Sequence, residues 1–180
     1  MTFARLRAAD WVALLAAVAL LFVMALDWYS TKLGEEARRI ERNQQTPTPG
    51  ADEAQGQSEE AAISAEGQEK NAWQADGKID RVILVMLLGT VALTALAAFL
   101  RSTGRHYDPP WSPSAIAAIA AAATALLVLF RIIQQGFDDL TTVKVGGPLA
   151  IAVLGVLAFA AARGVKHEAE GSEFREVEAV

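Results

Sequence analysis

Four charged side chains flanking long apolar runs are the residues best placed to do chemistry in this chain: Asp27, Asp80, Arg81 and Arg131. A cation at the middle of a bilayer costs on the order of 3 kcal/mol, whereas one near the surface can snorkel or pair. By helical rise, Arg131, followed by Ile132-Ile133-Gln134, lies about one turn inside the outer end of the third predicted span. Asp27 and Asp80 stand at run ends on the same side, and Asp138 and Asp139 hang just above. Arg131 is therefore expected to pair with Asp27 or Asp80. That pair reads as a structural clamp between helix ends, or, more sharply, as a small anion or proton site.

Other chemistries find little support. Thr90 and Thr94 lie within the second apolar run and can bond back to their own helix. His106 and His167 are single, without partners at ligand spacing, so no metal is expected. The absence of cysteine excludes disulfides, thiol nucleophiles and cysteine metal sites. Asp52-Glu53 and Glu59-Glu60 lack the spacing of a calcium loop. No catalytic triad order, HExxH or phosphate-binding glycine loop is present, and no basic stripe with interleaved aromatics suggests nucleic acid. The expectation is a non-enzyme without a cofactor.

The elements that must position these residues are four runs free of ionisable groups: Trp11–Leu26, Val82–Leu100, Ala115–Phe130 and Pro148–Ala162. Roughly 20 helical residues cross a hydrocarbon core. With their flanks the runs predict spans at about 10–29, 79–100, 114–134 and 147–163. The chain is 53% hydrophobic yet 21% charged, because its charges are segregated into loops and tails. The predicted fold is all-α: one membrane domain over 1–180, a four-transmembrane-helix bundle. Residues 30–78 form an extracytoplasmic loop or stalk, partly helical and partly disordered, and 164–180 an acidic cytoplasmic tail. Asp27-Trp28-Tyr29-Ser30 offers no small-x-small cleavage site after the first run, which reads as an uncleaved anchor. Arg5, Arg7, Arg101, Arg105, Arg163 and Lys166 favour both termini inside. The cations of the long loop argue the other way, but they are interleaved with acids.

Trp11, Trp28, Tyr29 and Trp111 fit an interfacial aromatic belt. Within the long loop, Leu33, Ala37 and Ile40 predict a helix over Thr31–Gln45, broken by Thr46-Pro47-Thr48-Pro49-Gly50. Ala51–Gln57 is expected to be mobile. A second helix is expected over Ser58–Ala75, ended by Asp76-Gly77. Asp108-Pro109-Pro110-Trp111 reads as a stiff turn, with Ser112 as an N-cap and Pro113 at the first helical position. The row Ala117, Ala121, Ala125 and the glycines Gly89 and Gly155 are candidate close-contact points. They serve packing within the bundle or contacts with a second copy or another membrane protein.

Several short patches resemble a family of uncharacterised actinobacterial four-span membrane proteins. They are Leu26-Asp27-Trp28-Tyr29 at the end of span one, Asn71-Ala72-Trp73-Gln74-Ala75 with Ile79-Asp80 before span two, Phe130-Arg131-Ile132-Ile133 ending span three, and Gly146-Gly147 before span four. This chain departs from the family in placing Asp27 where proline is usual and in its longer, more charged loop. The resemblance implies a bacterial inner-membrane location and no known activity. It also implies that Trp28, Tyr29, Trp73, Asp80 and Arg131 belong to one outer-face constellation, which Asp27 and Arg81 would join.

The expected role is non-enzymatic: an assembly partner or envelope component in the bacterial inner membrane, bathed in lipid. The alternative is a small transporter or channel subunit working as an oligomer. A transporter should show a water-accessible cavity lined by Thr90, Thr94 or Arg131, and an assembly protein a dry core.

Overall fold

A computed structural model describes residues 6–32, 34–35, 39, 69–75, 77–103, 112–136 and 141–178. The elements are α1 (Ala8–Met24), β1 (Asp27–Thr31), β2 (Glu69–Asn71), α2 (Lys78–Ser102), α3 (Pro113–Gly136), β3 (Thr141–Val143) and α4 (Gly146–Glu178). The described chain is thus mostly helical, with four helices.

Local chemistry sets the helix starts. The Asp10 carboxylate accepts the Arg7 amide at 3.0 Å, capping α1. Ser112 Oγ accepts the Ala115 amide at 3.2 Å, and Pro113, which lacks a donor, opens α3. Asp80 in the first turn of α2 and Arg101 in its last turn both complement the helix dipole.

Three helical stretches, Lys78–Ser102, Pro113–Gln135 and Gly146–Lys166, are long and apolar enough to cross a membrane. Of their most apolar windows only 28%, 22% and 33% is buried within the molecule. The remaining apolar surface faces outward, and hydrocarbon is the solvent that suits it. α1 has 17 residues and is shorter. Its outward residues are also apolar, with Leu15 67% and Phe22 72% exposed. α4 runs on to Glu178, so much of the expected acidic tail continues the last helix.

The helices close a ring in which α4 packs on α1 and α3, and α3 on α2. The α1–α2 seam is the slightest of the four. Toward the end bearing the sheet, the core is large-residue packing of Leu20, Met24, Leu87, Val128, Leu154 and Trp28. Toward the other end it thins to Ala16, Ala17, Ala121 and Leu157, with Ala117 and Ala160 also buried. Ala117 and Ala121 thus pack within the chain. Gly89 and Gly155 do not mark close approaches, since a Cβ at either would meet nothing within 4 Å.

The sheet departs from the all-α expectation. β1 is its central strand, in the order β2-β1-β3, with both pairings antiparallel. Tyr29 lies opposite Lys70 on one side and Val143 on the other. Trp28-Tyr29-Ser30-Thr31 and Thr141-Thr142-Val143 are β-favouring sequences. Glu69-Lys70-Asn71 is not, and pairing overrides its helical preference, so the predicted helix over Ser58–Ala75 fails at its C-terminal end. The Ala72 amide then donates to Met24 O at 3.1 Å, tying the turn after β2 to the end of α1. Lys32, Gly34, Glu35 and Arg39 are helical, within the predicted Thr31–Gln45 helix. The Thr46–Gly50 break, Ala51–Gln57, the Asp108–Trp111 turn and Asp138-Asp139 lie outside the described residues.

The register between β1 and β2 slips between Asp27 and Tyr29. This bulge sends Trp28 into the bundle, where it is 2% exposed and its Nε1 donates to Val23 O at 3.0 Å. Trp28 is therefore a core residue, not a ring at the headgroups. Trp11 and Trp73 remain exposed. Gly146 makes the insertion possible, because a Cβ there would stand 2.7 Å from Asp27 O and against the Trp28 ring.

Gly146→Ala is expected to destabilise the protein by about 1–3 kcal/mol through overpacking. A thermal melt in mild detergent checks this, with Gly155→Ala, which meets open space, as the control that should hardly move.

Candidate functional site

The ends of α2 bring charges of three helices into two clusters, one beneath the sheet and one at the opposite end of the bundle. α2 and α3 are antiparallel neighbours, so the first turn of α2 stands beside the last turns of α3. There Arg131 grips Asp80 with both prongs: Nε donates to Oδ1 at 2.7 Å and Nη2 to Oδ2 at 3.0 Å. Nη1 donates to Gln134 Oε1 at 3.1 Å. This bidentate pairing suits the planar guanidinium. Arg131 takes Asp80 of the two expected partners; Asp27 pairs its backbone with Asn71 in the sheet.

Tyr29 lies over this pair. Its hydroxyl oxygen is buried and has no hydrogen-bond partner among the described residues. Burial, opposed by the Arg131 charge and reinforced by the Asp80 charge, pushes the phenol up to about 12. Tyr29 is thus a neutral donor across the physiological range. Trp28, Tyr29, Lys70, Asn71, Gln74, Asp80 and Ile83 line a pocket of about 40 Å³ between the sheet and α2. Trp73, on the turn after β2, faces solvent or lipid. Arg81 turns to the rim, where its Nε donates to Ala75 O at 3.3 Å. Of the seven residues expected together, Tyr29, Asp80 and Arg131 meet; Trp28 underlies them; Asp27, Trp73 and Arg81 flank them.

Above the pocket the sheet is tied by Lys144, which follows β3 and pairs with Glu35 and, at 3.9 Å, with Glu69. One ammonium thereby joins the segment after β1, strand β2 and strand β3.

The second cluster is the one sequence reading missed. Arg101, in the last turn of α2, forms an ion pair with Asp10 of α1 and donates to Ser114 Oγ of α3. Its guanidinium also covers Gly164 of α4, where any side chain would collide with it. One arginine therefore bridges all four helices. Asp10 is 6% exposed, far more buried than Asp80 at 28%. The signal was available: Asp10 is the acid next to the first apolar run, and Arg101 closes the second on the same expected side. Beside this pair is a cavity of about 20 Å³, lined by Ala13, Thr94, Ala97, Ser114 and Ala117.

Between the clusters the polar groups are hydroxyls already engaged. Thr90 Oγ1 donates to Met86 O at 2.8 Å and lies 3.0 Å from Thr124 Oγ1. Thr94 Oγ1 donates to Thr90 O at 2.8 Å, and Thr124 Oγ1 to Ala120 O at 2.7 Å. Thr90 and Thr94 thus bond back to their own helix as expected, and Thr124 adds an interhelical contact. Among the described residues no three acids or histidines gather as a metal site would need.

Removing one partner of a buried ion pair costs about 3–5 kcal/mol, and of a half-exposed pair less. Asp10→Asn should therefore lower the melting temperature more than Asp80→Asn, and the reverse order would show the inner pair to be dispensable. The chain has two tyrosines. Absorbance near 295 nm should show one ionising near pH 12, lost in Tyr29→Phe. Because the folded value is raised, stability is full below about pH 10 and declines as pH rises through 12.

A scan of protein-family models, a search of curated proteins and a search of solved structures each find no match to this chain.

Proposed function

We propose that this chain is a non-enzymatic, four-span protein of a bacterial inner membrane that acts as an assembly partner or envelope component. Its working surfaces are then the sheet-capped end and the lipid-facing helices, not a path through the bundle. The observation that carries this reading is the filled core between the two ion pairs. Leu20, Met24, Leu87, Val128 and Leu154 are each fully buried there, and the threonine hydroxyls below them are bonded to helix carbonyls.

Spacing supports the placement in lipid. Asp80 and Arg101 are 101 − 80 = 21 residues apart on α2. At helical rise that is about 32 Å, the thickness of a hydrocarbon core. The apolar outer face of α1 supports counting it as a fourth span. Asp10, Arg101, Ser114 and Gly164 share one end, which favours both termini on the same side; the basic flanks favour the cytoplasmic side. The actinobacterial four-span resemblance agrees with that placement.

The cavity beside Thr94 favours the alternative, a transporter or channel subunit working as an oligomer. At about 20 Å³ it has room for about one water, and none of Leu87, Val128 or Leu154 of the filled core lines it.

Purified protein in liposomes should pass no more proton, potassium or chloride than empty vesicles. A photo-cross-linker replacing exposed Trp73 should trap a discrete neighbour in intact cells. Sustained flux that Thr94→Leu abolishes would replace this reading with the transporter.

A further inference from the structure

Arg101, Arg131 and Arg163 each close an apolar stretch at its C-terminal end, on α2, α3 and α4. Helical side chains lean toward the N-terminus of their own helix. Each of these guanidiniums is therefore directed back over its apolar stretch and not out toward water. Two of them meet a carboxylate, Asp10 for Arg101 and Asp80 for Arg131. Arg163 instead lies over the ring of Phe159, one turn deeper, its guanidinium carbon 5.1 Å from the ring centroid. Both side chains are on the outside of the bundle, Phe159 being 64% exposed. Arg101 covers Gly164, the next residue, so Arg163 stands level with the buried Asp10–Arg101 pair.

A cation directed onto an apolar face at the edge of hydrocarbon needs an anion at that depth. Its own helix brings none. The positions three and four away from Arg163 are Phe159, Ala160, Lys166 and His167. Glu168, five positions on, sits about 140° around the helix. Glu170, seven positions on, is about 10 Å further along the axis, opposite to the lean of Arg163. Asp10 is 6% exposed and held by Arg101 inside the ring. Lys166 is exposed and adds a second cation to the same side of α4. Over the three segments at this end, 1–10, 101–112 and 163–170, six Lys and Arg face four acids, with Asp108, Glu168 and Glu170 all counted. The later acids of the tail begin at Glu173, about 15 Å past Arg163 by helical rise and beyond a Debye length.

We propose that Arg163 and Lys166 hold the headgroup phosphate of an anionic phospholipid in the leaflet at the Arg101 end, with Phe159 fixing the guanidinium at phosphate depth. The planar fork of Arg163 suits two phosphate oxygens, and Lys166 supplies a point charge beside it. Below the headgroup, Gly155 stands one turn deeper than Phe159 and has open space where a side chain would be, which leaves a shallow track for an acyl chain along α4. This inference rests on the reading that α4 spans a bilayer.

The test uses full-length protein in mild detergent, mixed with equal amounts of dioleoyl-phosphatidylglycerol and dioleoyl-phosphatidylcholine. Native mass spectrometry reads the lipid retained. One phosphatidylglycerol should stay bound in preference to phosphatidylcholine. Arg163→Gln should weaken its retention about fivefold, the worth of one basic residue at a membrane surface, and Lys166→Gln by a similar factor. Lys78→Gln, which removes an exposed cation at the opposite end, should leave retention unchanged. Equal retention of the two lipids overturns the proposal while the membrane reading stands. So does phosphatidylglycerol retention that Arg163→Gln leaves intact, or that Lys78→Gln weakens as much. Should Arg163→Gln fail to fold, retention in Lys166→Gln equal to the parent's overturns it. A protein that stays monodisperse in water without detergent removes the membrane reading, and the lipid site with it.

Discussion

A charge beside hydrocarbon must have a partner within reach, and this chain meets that constraint at both ends of α2. Asp80 in its first turn takes Arg131; Arg101 in its last turn takes Asp10. Because α2 contributes one member to each pair, it fixes the levels of α3 at one end and of α1 and α3 at the other. Sliding either neighbour by one turn, about 5.4 Å, would break a pair and strand a charge. Apolar packing alone lacks that specificity, since lipid and leucine are equally apolar and helices gain little by meeting. The ion pairs set register, and side-chain packing fills what the register allows.

The two halves of the bundle then solve packing differently. At the Arg101 end, alanines let all four helices converge on one guanidinium, and Gly164 leaves the space it occupies. At the Asp80 end the helices are held apart by Leu20, Met24, Leu87 and Leu154, and Trp28 fills the top. The second arrangement needs a lid, and the sheet supplies it. Trp28 reaches the core because of the bulge in β1, and the bulge is tolerated because Gly146 has no side chain. The bulge, the indole and the glycine are one device.

Much of this was legible in the letters. Long runs free of ionisable residues mark α2, α3 and α4, and a cation just past such a run calls for a carboxylate at the same level, which is how Arg131 points to Asp27 or Asp80; the choice of Asp80 came from the fold. The Ser112-Pro113 start of α3 follows from capping chemistry. The same reasoning applied to Asp10 and Arg101 would have revealed the inner cluster; treating Arg101 only as a topology signal hid it. The sheet was not legible, because β2 is Glu-Lys-Asn and β3 is three residues long. Neither carries a two-residue periodicity, and both exist only because β1 offers its two edges. Trp28 misled for a related reason: tryptophan after an apolar run is ordinarily interfacial, and only a bulge, which follows from pairing, turns it inward.

The shortness of α1 is the step from which the sheet end follows. Seventeen residues give about 25 Å of helix, less than the about 32 Å between Asp80 and Arg101 on α2. With Asp10 fixed beside Arg101, α1 therefore ends well below the level of Asp80. An extended strand rises about 3.3 Å per residue, twice the helical rate, so a few residues after Met24 recover the difference. Those residues are β1, and their exposed backbone groups must be paired. β2 and β3 pair them from either side, Ala72 donates to Met24 O, and Lys144 donates to Trp28 O at 2.9 Å. A longer first helix would have carried the chain past Asp80 with its backbone satisfied internally. There would then be no strand to pair, no bulge to turn Trp28 inward, and no roof over the Tyr29 pocket.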